Sequence, residues 1–309
     1  DATKGWIPIE DDDVSDVPTP PPQNPYGLFG FGYTTSNVSM SNLVNSSGVV
    51  ATDTTGVGTA RRTLAGCEYG NDKGIFGFGY VSASSALTNL VSNVGVVATD
   101  TAGVGTAIHH RTGATYGGDK GIFAYGATSG GNVSTSNLVS NIGVVSSDVT
   151  GVGTARSEMP GACEFATNKD RCIFGFGYTG SVTGVTNLVS NVGVVASDTA
   201  AVGTARYQTA ACGFGDDKGI FAYGGTTSAT AISNLVSNVG VVASDTTGVG
   251  TARMSLKATQ YGTDKGIFGF GDAGGKVSMT NLVNNSGVIA SDVTGVGTAR
   301  AGLAACSYG

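Results

Sequence analysis

From residue 27 onward the apolar and polar positions repeat. A string of alternating aromatic and glycine residues, GIFGFG or a close variant, begins at Gly27, Gly74, Gly121, Cys172, Gly219 and Gly266, every 47 residues apart from one step of 51. Each unit then carries Asn-Leu-Val, a Gly-Val-Val or Gly-Val-Ile, one Asp, and a near-constant Gly-Val-Gly-Thr-Ala-Arg. Within the second unit the pattern predicts four strands separated by turn residues, at 74–80, about 86–92, about 95–100 and about 107–116. In the first of these, strict alternation puts Phe76, Phe78 and Tyr80 on one face and Ile75, Gly77 and Gly79 on the other. Large side chains on one face and none on the other suit sheets that stack face to face.

Four short strands in about 47 residues is the period of a propeller blade. The two ends of the array are offset by one strand. It opens with the aromatic strand 27–33 and closes with the strand 299–308 that precedes the aromatic strand in every other unit. A ring would use that offset, because the last strand can complete the first blade. An open solenoid would need polar caps instead. The expected fold is therefore all-β: a six-bladed β-propeller of four-stranded blades over residues 27–309, closed by the C-terminal strand and preceded by a tail, residues 1–26.

Composition sharpens this picture. Gly supplies 51 of 309 residues without the three-residue period of collagen, and charged residues are only 12%. No run of eighteen apolar residues is present, so no membrane-spanning helix is expected. The net charge of −6 offers no basic patch for nucleic acid. Nearly all of that charge is in the tail, where Asp1, Glu10, Asp11, Asp12, Asp13 and Asp16 face only Lys4. The tail also holds six of the seven prolines and the single tryptophan. It reads as an acidic, extended spacer tipped by one apolar segment, Trp6, Ile7, Pro8 and Ile9, the candidate anchor to a neighbouring subunit. The chain starts at Asp1 without an initiator Met, which fits a processed terminus as well as an arbitrary start.

The recurrent Asp and Arg are the first candidates for chemistry. Within the units they pair as Asp53 with Arg61, Asp148 with Arg156, Asp198 with Arg206, Asp245 with Arg253, and Asp292 with Arg300. Recurrence in nearly every unit favours ion pairs that fix blade junctions over a catalytic site, which needs asymmetry. The second unit departs, with Ile108 in the Arg position followed by His109-His110-Arg111, the only two histidines of the chain. Those read as loop or channel residues. No Ser/His/Asp order, paired-carboxylate motif, phosphate loop or metal-ligand spacing is found, so no enzyme activity, cofactor or metal is expected. Of five cysteines, Cys67, Cys212 and Cys306 share one slot in different units and are expected free. Cys163 and Cys172 flank the one enlarged hairpin and are expected to form a disulfide, which would place the protein in an oxidising compartment.

Ala205-Arg206 opens a strand before the aromatic strand at Gly219, and Gly224-Gly225 ends that second strand. This order resembles the kelch type of propeller repeat, although the blade tryptophan is missing, and it is similar to the kelch-like arrays of viral fibre and environmental surface proteins. The resemblance covers residues 27–309 and implies the propeller fold. With a nearly neutral body and a detachable tail, the expected function is a structural, self-assembling subunit of an extracellular filament, surface layer or virus fibre. Its partners would be other copies of itself, joined head to tail. The alternative is a carbohydrate-binding propeller, for which Tyr33, Tyr80 and Tyr178 occupy matching positions while Ala127, Gly225 and Asp272 stand in the other units.

Overall fold

In the computed structural model of the chain, residues 25–309 are described, and every structural statement below concerns them. The anchor residues Trp6, Ile7, Pro8 and Ile9 lie outside the described residues. The fold is all-β. In chain order the strands are β1 (Tyr26–Tyr33), β2 (Asn37–Val44), β3 (Ala65–Tyr69), β4 (Lys73–Gly77), β5 (Thr88–Val91), β6 (Thr112–Tyr116) and β7 (Lys120–Ala124). A two-residue hairpin, β8 (Ala127–Thr128) and β9 (Gly131–Asn132), precedes β10 (Ser136–Val139) and β11 (Gly161–Phe165). After a 3-10 turn at Thr167–Lys169 come β12 (Arg171–Gly175), β13 (Thr186–Val189), β14 (Ala210–Phe214), β15 (Lys218–Ala222) and β16 (Ser233–Val236). The last four are β17 (Lys257–Tyr261), β18 (Lys265–Gly269), β19 (Thr280–Val283) and β20 (Ala304–Tyr308).

They form six antiparallel three-stranded sheets: β20-β1-β2, β3-β4-β5, β6-β7-β10, β11-β12-β13, β14-β15-β16 and β17-β18-β19. The sheets are three-stranded, not the expected four. The fourth segment of each touches its sheet only at isolated bridges, as at Val91↔Val97 and Thr88↔Thr101 in the second. Between those two bridges the Asn89 side chain takes the Ala98 carbonyl at 2.9 Å, so a side-chain amide stands where a backbone rung would be. The offset at the array ends has the expected consequence: β20 pairs with β1, from Tyr26↔Tyr308 to Gly30↔Ala304.

The first strand of each sheet is its inner strand. β3 packs against β6, β6 against β11, β11 against β14, β14 against β17, β17 against β20, and β20 back against β3. One hydrophobic cluster fills each space between consecutive sheets, as with Leu28, Phe31, Phe76 and Val91 at one of them. Each such interface holds an edge-to-face aromatic pair, the arrangement favoured by the ring quadrupole. The pairs are Phe31–Phe76, Phe78–Phe123, Tyr125–Phe174, Phe176–Phe221, Tyr223–Phe268 and Phe270–Phe29, with centroids 5.2–5.5 Å apart. Glycine makes the close stacking possible. A Cβ on Gly30 would stand 2.9 Å from the Phe76 ring, and one on Gly77 3.1 Å from Phe123.

Phe76 and Phe78 do not share a face as simple alternation predicts. Phe78 has φ 65°, and its equivalents Phe31, Tyr125, Phe176, Tyr223 and Phe270 lie between 59° and 64°. The left-handed residue ends the pleat and turns the second aromatic to the opposite side. Phe76 therefore joins the cluster toward the preceding sheet and Phe78 the one toward the following sheet. Such a conformation costs a non-glycine residue on the order of 1–3 kcal/mol, and it recurs at every interface.

Candidate functional site

What holds those strained aromatics is a clasp built from the residues that recur in every unit. In the second sheet, Arg61 is fully buried. Its Nε donates to the Phe78 carbonyl at 2.9 Å, one terminal nitrogen donates to Asn89 Oδ1 at 2.6 Å, and the other to the Thr59 carbonyl at 3.2 Å. Asp100 receives the Thr59 N–H and hydroxyl at 3.0 and 2.6 Å, and Asn89 Nδ2 at 2.9 Å. The guanidinium lies over the Phe31 ring of the preceding sheet, 4.4 Å from its centroid, a buried cation–π contact. Burial opposes ionisation of Asp100, but the Thr59 and Asn89 hydrogen bonds and the Arg61 charge outweigh it and hold the carboxyl below its ordinary value.

The expected pairs within a unit are not made; four of the arginines face the Asp of the next unit instead. Arg61 faces Asp100 at 3.7 Å, Arg206 faces Asp245, Arg253 faces Asp292, and Arg300 faces Asp53, the last three at 3.9 Å. Arg156 and Arg111 make no ion pair within 4 Å; burial raises the Asp198 and Asp148 carboxyls, the Thr and Asn hydrogen bonds lower them past it, and those arginines add least. The reason for the next-unit pairing is the strand offset: each sheet takes its inner strand from the end of one sequence unit and its other strands from the next. The Arg300–Asp53 clasp, with Thr298 donating to Asp53 at 2.6 Å, thus joins the two ends of the array.

Arg111 escaped the sequence reading. It is fully buried and donates to Asn137 Oδ1 at 2.6 Å, a bond that Arg61, Arg206 and Arg253 also make to their Asn. It lies over Phe78 at 4.2 Å, as every counterpart lies over a ring. It occupies the slot that Leu64 fills in the preceding unit, while Ile108 fills the slot of Arg61. The two side chains have exchanged places, and both remain fully buried. The signal was in the sequence: an apolar residue at the Arg position and an Arg three residues later.

The disulfide is not formed. All five cysteines are free and buried. In the β11–β12 ladder Cys163 stands opposite Ile173 and Cys172 opposite Glu164, so the two thiols point to opposite faces of the sheet. They belong to different clusters between different pairs of sheets.

The ends of the inner strands are where the six units differ. At the entry end, before the strands begin, Thr63, His110, Glu158, Gln208, Ser255 and Gly302 all have left-handed backbones, φ 52–61°. Backbone hydrogen bonds run from one to the next, as from His110 N to Thr63 O at 2.9 Å and Gln208 N to Glu158 O at 2.8 Å. Their side chains form a second chain: His110 Nδ1 lies 3.4 Å from Glu158, Gln208 Nε2 donates to Glu158 at 2.9 Å, and Ser255 Oγ donates to Gln208 Oε1 at 2.5 Å. Burial, only partly offset by Glu158, pushes His110 down to about 4. Beneath them, burial lowers Lys257 to about 8.

The neighbouring His109 contacts Ser84 Oγ at 2.9 Å. The Ser84 hydroxyl and the Glu158 carboxylate are thus engaged by two different imidazoles, and no single ring links nucleophile to acid as a triad requires. Tyr33 and Tyr80 sandwich the Arg62 guanidinium, with centroids 4.7 and 5.0 Å away. Tyr178 packs edge-on against Tyr207.

At the exit end, turns of the type Ser-Asn-Val-Gly-Val cover the last residues of the inner strands, Gly95 lying against Tyr308 and Gly143 against Tyr69. Their outward side chains are apolar and open. Val94, Ile142, Val192 and Val239 are 66–73% exposed, and Val49, Val96, Val144, Val194, Val241 and Val288 are 59–64% exposed. Beside one turn, Phe214, Leu235, Val241, Ala243 and Lys218 line an open apolar groove. Pro25 lies at this same end, its carbonyl accepting from Gly262 N at 2.9 Å, with Tyr26 stacked on Tyr308. Pro25, the first described residue, therefore lies beside the valine turns.

No family model matches this chain, and no curated protein is detectably similar to it.

Proposed function

We propose that residues 27–309 are a closed six-bladed β-propeller of the kelch-like type, acting as a structural, self-assembling subunit. Each copy is linked to its neighbour by residues 1–26, in an extracellular filament, surface layer or virus fibre. The circuit of inner-strand contacts from β3 through β20 back to β3 supports the ring. One observation carries the assembly reading: open valine and isoleucine side chains recur around the end at which Pro25 lies. Apolar patches of that kind on a polar-rimmed surface mark interaction sites. A tail donated from each copy to the next is a heterologous contact and extends indefinitely unless its rotation closes.

The carbohydrate-binding alternative would rest on Tyr33, Tyr80 and Tyr178, and two of these already spend their ring faces on Arg62. Multi-angle light scattering on the full chain, and on the chain lacking Asp1–Asn24, tests assembly. The full chain should give multimers and the shortened chain single subunits. If both are monomeric across the concentration range, the reading is wrong.

A further inference from the structure

At the exit end the fourth residues of four inner strands, Glu68, Thr115, Glu164 and Gln260, line the central cavity, which has a volume of about 50 Å³ and is bounded by all six inner strands. The same position holds Gly213 and Ser307 in the other two strands. Five of the six carry an oxygen-bearing side chain, in a protein with few charges. At the sixth there is no side chain, and a Cβ on Gly213 would collide with Gln260 Nε2 and the Glu164 carboxylate, so the missing group leaves room for both to converge. Gln260 is 4% exposed, lines the cavity, and its Oε1 has no hydrogen-bond partner. An unpaired buried acceptor near the Glu164 carboxylate calls for a donor or a cation.

One cation is already supplied by the chain. The enlarged hairpin between β11 and β12 carries the turn Thr167–Lys169, and Lys169 Nζ reaches across the mouth to Glu68 Oε2 at 2.6 Å. The other oxygen of Glu68 accepts from the Ser307 hydroxyl. Glu164 has no side-chain donor of this kind; the backbone N–H groups of Glu164 and Gly213 face its carboxylate. The remaining cation, Lys257, lines the cavity from the opposite end, three residues earlier in β17 and so about 10 Å away at roughly 3.3 Å per residue.

We propose that this mouth is a binding site for an oxygen-liganded divalent cation of the calcium class, with Lys169 as its built-in competitor. The ligands are the carboxylates of Glu68 and Glu164, the amide oxygen of Gln260 and the Thr115 hydroxyl, completed by water. Calcium accepts six to eight oxygens in irregular geometry and suits such a mixed set, whereas magnesium demands a tighter octahedron. Binding displaces the Lys169 ammonium from Glu68, so the inserted turn would lift as the ion enters.

Calcium chloride titrated into the full chain by isothermal calorimetry, with thermal melts alongside, tests this. The expected result is saturable one-to-one binding that raises the melting temperature, with a weaker response to magnesium chloride. Lys169→Ala, which frees Glu68 Oε2 of its ammonium partner, should bind calcium about tenfold more tightly. Glu164→Gln should bind about tenfold more weakly. Two results would overturn the site: no saturable binding in either wild type or Lys169→Ala while both melt cooperatively, or binding that neither substitution changes. The second result would assign the ion to the acidic residues 10–16 of the tail.

Discussion

The clasps between sheets and the ends of the inner strands are made by the same six repeats, yet they obey opposite rules. Every clasp has a buried Arg stacked on an aromatic ring of the neighbouring sheet. Every clasp also has an Asp held by a Thr from elsewhere in the chain, as Asp245 is by Thr204 at 2.7 Å. Where the sequence breaks the rule, as at Ile108 and Arg111, the structure restores the Asn bond and the ring contact by another route. At the strand ends no such restoration occurs. Thr63, His110, Glu158, Gln208, Ser255 and Gly302 share one backbone conformation and nothing else. Six identical clasps are what a closed circuit of sheets needs mechanically. Six different side chains on one backbone are what selection for a site, or relaxed constraint, leaves behind. In a repeat protein the position where the repeats disagree is the place to look for binding.

The largest expected effect comes from breaking a clasp. Arg111→Leu removes the donor to Asn137 Oδ1 and to the Phe123 and Thr135 carbonyls. Leaving a buried acceptor such as Asn137 Oδ1 unsatisfied costs about 1–3 kcal/mol for each group. The double change Ile108→Arg with Arg111→Leu rebuilds the arrangement of the other units and should recover most of that loss. Denaturant melts of the two single variants and the double give the coupling. Additive losses would show that the exchanged side chains do not share one slot, and would undo the equivalence of all six clasps.

A smaller effect is shared among the clasps. Asp53, Asp100, Asp148, Asp198, Asp245 and Asp292 are all held below the ordinary carboxyl value of 3.8. In each, burial works the other way and the Thr and Asn hydrogen bonds overcome it. A lowered carboxyl contributes stability that is fully present above its unfolded value and is lost as pH falls through its folded value. The loss should therefore set in below about pH 4 and steepen toward pH 3. Asp245→Asn should lower stability at pH 7 and flatten the acid limb by about one sixth, since the six sites are equivalent. An acid limb that Asp245→Asn leaves unchanged would place the titration elsewhere.

The repeats themselves were legible because a 47-residue period survives point changes. The pairing of β20 with β1 was legible because the offset leaves only one place for the last strand. Three things were hidden by geometry that strict alternation cannot carry. The left-handed Phe78 reverses the pleat and sends two neighbouring aromatics to opposite faces. The one-strand offset moves each Asp partner to the next unit. Cys163 and Cys172 flank one hairpin, as their spacing says, but a register that sets Cys163 against Ile173 puts the thiols on opposite faces. The convergence of Glu68, Gln260 and Lys169 could not be read, because they come from three units and meet only through the circuit of sheets.

The smallest effect belongs to the strand ends. His110 is pushed from 6.5 to about 4, first by burial, then by His109, Arg62 and Lys257, against the pull of Glu158. A basic group whose folded value is lowered stays neutral in the folded protein while the unfolded chain takes up a proton. Stability therefore declines as pH falls from about 6.5 to about 4, well before the aspartates titrate. His110→Gln should leave stability at pH 7 within about 1 kcal/mol, because Gln can still reach Glu158 and a partly exposed side chain carries little packing. It should also flatten the decline between pH 6.5 and pH 4.5. Some slope will persist through His109, which burial lowers in the same range. The measurement is the urea midpoint at half-unit pH steps for wild type, His110→Gln and Asp245→Asn. If the entry end and the clasps are separate, the His110 change bends the curve above pH 4.5 and the Asp245 change bends it below pH 4. A His110 variant that alters only the acid limb would mean that the entry end is coupled to the clasps and not free to diverge.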